Sequence, residues 1–176
     1  MLFRSQPIPN AGALGNAWFA TGWTMADGAD AEMDALESLT DARAAVVPES
    51  MADALTGVVP GAAGGGRAEL VSFTPDRQTY QVQTPAEGLL VFSEIHYPEG
   101  WSITIDGEPA DLLRVNYAFR AVVVPQGSHE VEMAFDVPAV GTARTVASAG
   151  SVLILLALLG SLWAAFTGRG TVEEEA

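Results

Sequence analysis

The chain has 176 residues, 49% of them hydrophobic and 17% charged, a composition that supports one modest folded core and excludes a wholly disordered chain. Its formal net charge of −14 argues against nucleic-acid binding, because an acidic surface repels phosphate backbones. The absence of cysteine excludes disulfide bonds and thiolate metal sites.

Residues 1–56 are predicted to form a small α/β annex. The β-like run Asn16–Thr24 carries three aromatic residues that need a covering surface, and a helical pattern begins at Asp30, which is suited to cap it. The apolar run Ala44–Val47 then ends at Pro48. The order of these segments indicates a β-α-β unit. Within the helix, apolar residues recur at helical spacing: Met33, Leu36 and Leu39.

Residues 57–67 are predicted to be a glycine-rich linker that separates the annex from the next domain, since GVVPGAAGGG has high chain entropy and little to pack. A phosphate-binding loop is the alternative interpretation. No Lys-Ser/Thr pair follows the glycines and no dinucleotide-binding spacing is present, so a flexible loop is favoured.

Residues 68–142 are predicted to form a β-sandwich-like domain of the jelly-roll type. Apolar residues alternate with polar ones along Ser102–Ile105, and Asp106-Gly107 then favours a tight hairpin turn. Seven runs of this kind, separated by turns, are enough for a sandwich. The runs are Glu69–Phe73, Thr79–Thr84, Gly88–His96, Ser102–Ile105, Asp111–Val115, Arg120–Val124 and Glu130–Phe135.

Residues 143–168 are predicted to be a transmembrane helix, followed by an acidic tail at 169–176. The stretch Val146–Phe166 carries no charged residue and has the roughly 20 residues that a helix needs to cross a bilayer. A buried core helix is the alternative, although such helices are usually shorter. Because Arg144 and Arg169 flank the stretch on opposite sides, charge leaves its orientation undecided.

Part of the predicted β-domain resembles a known family. Between Leu90 and Phe135 the chain contains VFSEIHYPEGW, ITIDG and RVNYAFRAVVVPQGSHEVEMAF, and NAGALGNAWF occupies Asn10–Phe19. These segments resemble the C-terminal extracytoplasmic domain of the YfhO family of bacterial membrane proteins. The apolar stretch also falls where that family has its last membrane span.

The resemblance implies that the chain is the tail of a larger polytopic protein of the bacterial inner membrane, with its main domain extracytoplasmic. The parent is expected to be similar to GT-C glycosyltransferases, which use a lipid-linked sugar donor, and to act in cell-envelope polysaccharide or polymer glycosylation. That class has its catalytic acid in an early loop without a counterpart here, so no catalytic residue, metal or cofactor is predicted. The expected partners are the lipid bilayer, the missing N-terminal membrane helices of the parent, and a lipid-linked sugar or envelope glycan.

Two groups of residues in the recognisable segment are candidates for binding through aromatic rings or carboxylates. Tyr97 and Trp101 flank a turn and are able to stack on a sugar, or else form a structural corner. Glu94 and His96 lie on one strand face and, with Asp106, have the chemistry of a divalent-metal site. A structural role is favoured for these three, because no further histidine or carboxylate cluster supports them.

A third group, Arg114, Asn116 and Arg120, lies between two predicted strands. Arginine is able to clamp a phosphate with two hydrogen bonds, which makes contact with a lipid-linked phosphate one interpretation. The other is internal pairing of these arginines with one of three acids: Glu94, Asp106 or Asp111. His129 is predicted to be a surface residue at the start of a strand.

Two further functions stay open alongside the fragment of a glycosyltransferase-like protein. The first is a stand-alone membrane-anchored module that binds carbohydrate or another protein. The second is a tail-anchored protein whose acidic domain lies in the cytosol. An open reading frame that continues upstream into many apolar segments would favour the fragment over both alternatives.

Overall fold

A computed structural model describes residues 10, 12–97, 99–136 and 138–167, with the backbone alone at 138–146 and 167. The chain divides into two compact units, Met1–Asp136 and Val137–Ala176. The predicted annex, linker and most of the predicted sandwich fall within the first unit, and the boundaries between them stay a prediction. The predicted acidic tail at 169–176 lies outside the described residues.

The first unit is mainly β, as predicted, and the seven strands expected between residues 69 and 135 are confirmed with their ends shifted by a few residues. The strands are β1 Ala17–Phe19, β2 Trp23–Ala26, β3 Ala45–Pro48, β4 Arg67–Thr74, β5 Arg77–Thr84, β6 Gly88–Ile95, β7 Trp101–Ile105, β8 Glu108–Ala110, β9 Leu113–Val115, β10 Phe119–Val124 and β11 Gly127–Phe135. The helices are α1 Ala29–Ser38, a 3-10 helix at Glu49–Leu55 and α2 Pro138–Thr167.

Two antiparallel sheets form the sandwich. One has the strand order β1-β6-β10-β9 and the other has β4-β5-β11-β7-β8. Alternate side chains from both sheets pack in the space between them, which is the arrangement expected of face-to-face sheets. The main contributors to this layer are Tyr80, Phe92, Val122, Val131 and Met133.

The four-stranded sheet is buried on both of its faces. Leu90 and Phe92 of β6 point into the layer between the sheets, whereas Leu89 and Val91 pack into a second core with residues of the N-terminal segment. Burial on both faces explains why β6 reads as a continuous apolar run instead of alternating. The predicted β-like run Asn16–Thr24 is divided into two strands with different partners: β1 pairs with β6, and β2 pairs with β3.

The predicted β-α-β unit is confirmed, with β2 and β3 parallel and α1 between them. The N-cap lies two residues earlier than expected: Gly28, with φ of 89°, takes this position in place of Asp30, which lies in the first turn. The buried position in that turn belongs to Glu32, which is 2% exposed, while Met33 is 46% exposed. The apolar spacing thus identified the helix and two residues of its inner face, Leu36 and Leu39, but Glu32 takes the inner position that was expected for Met33.

The Asp106-Gly107 hairpin turn is also confirmed. Both residues have positive φ, 54° and 84°, and Ile105 pairs with Glu108 across the turn. Positive φ at both central positions is the geometry that suits the twist of a two-residue hairpin, and Asp-Gly adopts it readily.

The glycine-rich segment packs closely against the sandwich. Val58 and Ala63 are buried, and a Cβ added at Gly66 would lie 2.5 Å from Cδ2 of the buried Phe19 ring. A Cβ added at the neighbouring Gly65 would meet only Cγ of Pro85 at 3.9 Å, which is ordinary contact.

We expect Gly66→Ala to lower the free energy of unfolding by about 1–3 kcal/mol, because the Phe19 ring is packed and unable to move aside. Gly65→Ala is the matched control and is expected to change the free energy of unfolding by less than about 0.5 kcal/mol. Urea unfolding of the full chain in a mild detergent measures both. Equal stability of the two variants would contradict the close packing at Gly66.

The second unit contains α2, whose segment Ala147–Phe166 is long and apolar enough to cross a membrane and has no buried residue. Its large side chains, Leu155, Leu159 and Trp163 among them, are all more than half exposed. A helix that is apolar around its whole circumference needs a surrounding apolar medium or partner helices. The predicted C-terminal apolar helix is therefore confirmed as a candidate membrane span.

Candidate functional site

Arg114 of β9 makes the most extensive polar contacts among the predicted residues. Its Nη1 and Nη2 donate to the two carboxylate oxygens of Glu32 at 2.8 and 2.7 Å, and Nη1 also donates to the carbonyl of Tyr117 at 2.7 Å. Arg114 is therefore paired internally, which was one of its two interpretations. The partner acid comes from α1 and is not one of the three acids expected, Glu94, Asp106 and Asp111. A parallel two-pronged contact of this kind holds a carboxylate firmly.

Asn116 and Tyr117 form the turn between β9 and β10, and both have positive φ, 48° and 66°. The Asn116 side-chain oxygen accepts a hydrogen bond from the backbone N–H of Val46 at 2.7 Å. The backbone N–H of Asn116 donates to the Val46 carbonyl at 2.8 Å. Asparagine tolerates the left-handed region better than most residues. Asn116 therefore joins the turn to β3, and the turn presents the half-exposed Tyr117 ring.

A cavity of about 520 Å³ opens beside this turn, where β2 ends, α1 begins and β3 ends. Polar and aromatic side chains line it: Asp27, Glu32, Glu49, Ser50, Arg114 and Tyr117. The Arg114 charge is already compensated by Glu32, and Asp27 and Glu49 add negative charge, so the lining disfavours a phosphate. Hydroxyl-bearing neutral ligands suit these acceptors and the Tyr117 ring better.

Trp101 and Arg120 meet where the two sheets end. The guanidinium carbon of Arg120 lies 3.9 Å from the centroid of the Trp101 ring, and Arg120 Nε donates to the Ile95 carbonyl at 2.9 Å. Arg120 is 4% exposed, and burial lowers the pKa of its guanidinium while the charge of Glu94 opposes that shift. One face of Trp101 is thus occupied by a cation, which argues for the structural interpretation of this tryptophan.

Glu94 and Tyr97 lie at the same end of the sandwich as Trp101. Glu94 is partly buried and acts electrostatically on Arg120 and on Tyr80, whose pKa is raised to about 12, first by burial and then by the Glu94 charge. Tyr97 is 52% exposed and its hydroxyl donates to Glu99 at 3.3 Å. Tyr97 is therefore the predicted aromatic residue whose ring is most available for contact.

Asp106 lies at the opposite end of the sandwich from Glu94. It accepts hydrogen bonds from His129 Nδ1 at 2.7 Å and from the Glu130 N–H at 2.8 Å. Among the residues that the structure describes, no three histidine or acidic side chains are grouped to hold a metal ion. Glu94 and Asp106 are thus not brought together, and Asp106 instead holds its hairpin against β11.

The Asp106–His129 pair predicts a pH window of maximal stability. The hydrogen bond to Asp106 raises the pKa of His129 above 6.5, so this contribution is complete below 6.5 and is lost as the pH rises through the raised value. The hydrogen bond from His129 lowers the pKa of Asp106 below 3.8, so that contribution is lost as the pH falls through the lowered value. We expect the pair to stabilise the fold most between these limits.

The measurement is the thermal midpoint of the full chain in detergent as a function of pH. His129→Gln should flatten the dependence of the thermal midpoint on pH above 6.5, where the raised pKa of His129 lets the folded protein keep a proton that the unfolded chain releases. Asp106→Asn, the matched variant, should remove the same change of the thermal midpoint with pH. An unchanged slope in both variants would show that the pH dependence arises elsewhere.

Two residues important to these arrangements, Glu32 and Tyr117, were not among the predicted sites. Glu32 had a signal in the sequence, because it precedes Leu36 and Leu39 by four and seven residues and so shares their helix face. An acid in that register requires a buried cation as partner. Tyr117 had no comparable signal in the sequence; it lies in a turn with a left-handed backbone and is 46% exposed.

One of the comparisons with known proteins matches the chain from β4 onwards. Residues 67–146 match the family model of the bacterial membrane protein YfhO, which confirms the resemblance over that range. The matched range begins with β4 and ends at the residue before Ala147, where the apolar segment of α2 begins. No curated protein and no solved structure matches the chain.

Proposed function

From the premise that residues 67–146 form a YfhO-family segment, we propose that the chain is the non-catalytic C-terminal domain and last membrane helix of a YfhO-like polytopic membrane protein. The parent is a GT-C-type glycosyltransferase that modifies cell-envelope polymers, and this domain lies on the extracytoplasmic side of the bacterial inner membrane. One observation carries the proposal: the apolar segment Ala147–Phe166 begins directly after the residues that match the family model.

The contacts of the ionisable side chains support a non-catalytic role. Arg114 is held by Glu32, Arg120 stacks on Trp101, and Asp106 is bound by His129. Acid–base catalysis needs a group that is free to exchange a proton with a substrate. These internal contacts give the domain a fixed shape, which suits support of the catalytic membrane part or guidance of an acceptor.

The absence of native cysteine makes a labelling test of orientation direct. Ser72→Cys places a thiol on the exposed strand β4, and Thr171→Cys places one beyond α2. With the protein in its native membrane, we expect an impermeant maleimide to label position 72 in intact cells and position 171 only after permeabilisation. The reverse pattern would place the domain in the cytosol and overturn the proposed side of the membrane.

A carbonate wash of the membranes tests the anchor itself. A helix that spans the bilayer keeps the protein in the pellet at high pH, because its apolar surface is retained by lipid. Release of the protein into the supernatant would contradict the membrane span and with it the proposed function.

The cavity beside Tyr117 favours one alternative, a membrane-anchored module that binds carbohydrate. Its acceptor-rich lining and half-exposed aromatic ring suit a neutral glycan. Binding of the detergent-solubilised chain to an envelope-glycan array, lost in Tyr117→Ala and retained in Met33→Ala, would support this alternative. Equal binding by both variants, or none by the unmodified chain, would count against it.

A further inference from the structure

Large exposed hydrophobic residues, four of them aromatic and one aliphatic, collect at one end of the sandwich. Phe73 comes near the end of β4, Phe135 ends β11, Ile95 ends β6, Tyr97 follows β6, and Tyr117 lies in the turn before β10. The exposed fractions are 60% for Phe73, 38% for Phe135, 70% for Ile95, 52% for Tyr97 and 46% for Tyr117. We call these five residues the aromatic end.

The strand pairing places these residues at the same end. In the five-stranded sheet, Phe135 pairs with Trp101, and Phe73 lies in the row that continues through Gln78 to Met133. Residues directly opposite each other in antiparallel strands point to the same face, so Phe73 belongs to the face that forms the core. Its large exposure shows that the other sheet does not cover this part of that face.

The four-stranded sheet reaches the same end through Arg120. Its guanidinium stacks on Trp101 of the other sheet and its Nε binds the carbonyl of Ile95. The end of β6 with Tyr97 and the turn with Tyr117 therefore lie at the same end as Phe135.

The opposite end of the sandwich is polar. It consists of the turns at 85–87, 106–107 and 125–126, where the exposed residues include Glu87, Asp106 and Gln126. Among the described residues of these turns, none is a large exposed hydrophobic. The other large exposed hydrophobics of this unit are not aromatic: Met25, Met33, Val59 and Val71.

The chain leaves the β-domain at the aromatic end. Phe135 is the last residue of β11, α2 begins at Pro138, and the apolar segment begins at Ala147. The nine helical residues from 138 to 146 extend over about 14 Å at 1.5 Å per residue. The covalent connection between the aromatic end and a membrane span is therefore short.

We propose that the aromatic end binds the boundary between lipid headgroups and acyl chains on the side of the membrane where the domain lies. This proposal rests on the membrane anchor of the proposed function. Tyrosine and other aromatic side chains are favoured at this boundary, where the ring contacts acyl chains and the hydroxyl stays hydrated. The five side chains come from four separate strand ends and turns, an uneven surface that fluid lipid accommodates without a matching shape.

Charge selects the lipid. The chain carries a net charge of −14, and Glu94 and Glu99 lie close to the aromatic rings. Anionic headgroups are repelled by such a surface. The binding is therefore driven by apolar contact, and we expect it with zwitterionic phosphatidylcholine and with little dependence on salt.

The test measures the depth of single probes in the cysteine-free chain. Phe73→Cys, Tyr97→Cys and the opposite-end control Glu87→Cys are each labelled with an environment-sensitive fluorophore. The full chain is then reconstituted into phosphatidylcholine vesicles that contain phosphatidylcholine with a nitroxide near the headgroup. We expect the nitroxide to quench the probes at 73 and 97 about twofold or more relative to the probe at 87.

A second set of variants tests whether the other residues of the aromatic end contribute to lipid binding, with the probe kept at position 73. Replacing Ile95 and Tyr117 together with serine should reduce the quenching, since fewer apolar side chains then hold this end in the lipid. Val59→Ser is the matched control, because Val59 is exposed but lies outside the aromatic end, and it should leave the quenching unchanged. Circular dichroism verifies that each variant is folded.

The outcomes separate this inference from the proposed function. Failure of the chain to float with the vesicles would contradict the membrane anchor. Flotation with equal quenching at 73, 97 and 87 would leave the anchor intact and overturn the lipid contact alone. A probe at 73 that is shielded from aqueous iodide yet not quenched by the lipid nitroxide would identify a protein surface as the partner, and would also overturn it.

Discussion

Arg114→Ala is expected to lower the free energy of unfolding of the β-domain by about 2–3 kcal/mol, because it leaves the Glu32 carboxylate buried without a counter-ion. Glu32 is 2% exposed, so its charge has little access to water in the folded state. The Arg114 side chain is 30% exposed, and this partial access to solvent moderates the loss relative to a fully buried pair. The variant also removes the hydrogen bond that Arg114 donates to the Tyr117 carbonyl.

Arg77→Ala is the matched control, since it breaks an ion pair with Glu132 whose side chains are 55% and 31% exposed. Exposed ion pairs contribute little, so we expect a change within about 1 kcal/mol. Urea unfolding in mild detergent, followed by fluorescence, measures both variants. A double variant, Glu32→Leu with Arg114→Leu, should recover part of the loss if burial of the unpaired charge is its cause. Equal destabilisation by Arg114→Ala and Arg77→Ala would contradict this explanation.

Arg120→Ala is expected to lower the free energy of unfolding by about 3 kcal/mol, because a buried donor and a stacked cation are lost together. Arg120 is 4% exposed, its Nε–H satisfies the Ile95 carbonyl, and its guanidinium covers the Trp101 ring. The truncation also leaves a void between the two sheets beside Met133, the sulfur of which lies 3.9 Å from Arg120 Nη1.

Arg120→Lys discriminates between charge and shape. Lysine keeps the positive charge beside Glu94 but lacks the planar group that stacks on the indole and the Nε–H that binds the carbonyl. We therefore expect it to recover less than half of the loss. Arg67→Ala, at an exposed position on β4, serves as the control and should be near neutral. Full recovery by lysine would show that charge alone explains the role of Arg120.

Local sequence was sufficient to predict most of the strands and both α-helices of this protein, but not β8 or the 3-10 helix at Glu49–Leu55. Alternation along Ser102–Ile105, the Asp106-Gly107 turn and the uncharged stretch after Arg144 each carry their signal within a few neighbouring residues. Periodicity, turn chemistry and the length of an apolar run depend on backbone geometry alone, so they are readable without knowledge of the fold. The family resemblance rested on such contiguous segments as well.

The candidate sites depended on contacts between distant parts of the chain. Glu32 and Arg114 are separated by 82 residues, and no local pattern specifies which acid an arginine will meet. The assignment of β1 to the sandwich and of β2 to the β-α-β unit likewise followed from sheet pairing. The alternative metal site at Glu94, His96 and Asp106, over which a structural role was favoured, does not assemble because Glu94 and Asp106 lie at opposite ends of the sandwich.

By itself the sequence determined that this protein has a mainly β domain, a β-α-β segment and one helix that is apolar enough for a bilayer, because these are properties of short stretches and their hydrophobic pattern. Only the tertiary structure decided which charges are neutralised inside the domain and that its exposed aromatic residues share the end from which the chain continues towards α2. The physical reason is that ion pairing and surface clustering depend on distances in space, which the topology of the two sheets sets and the order of residues does not.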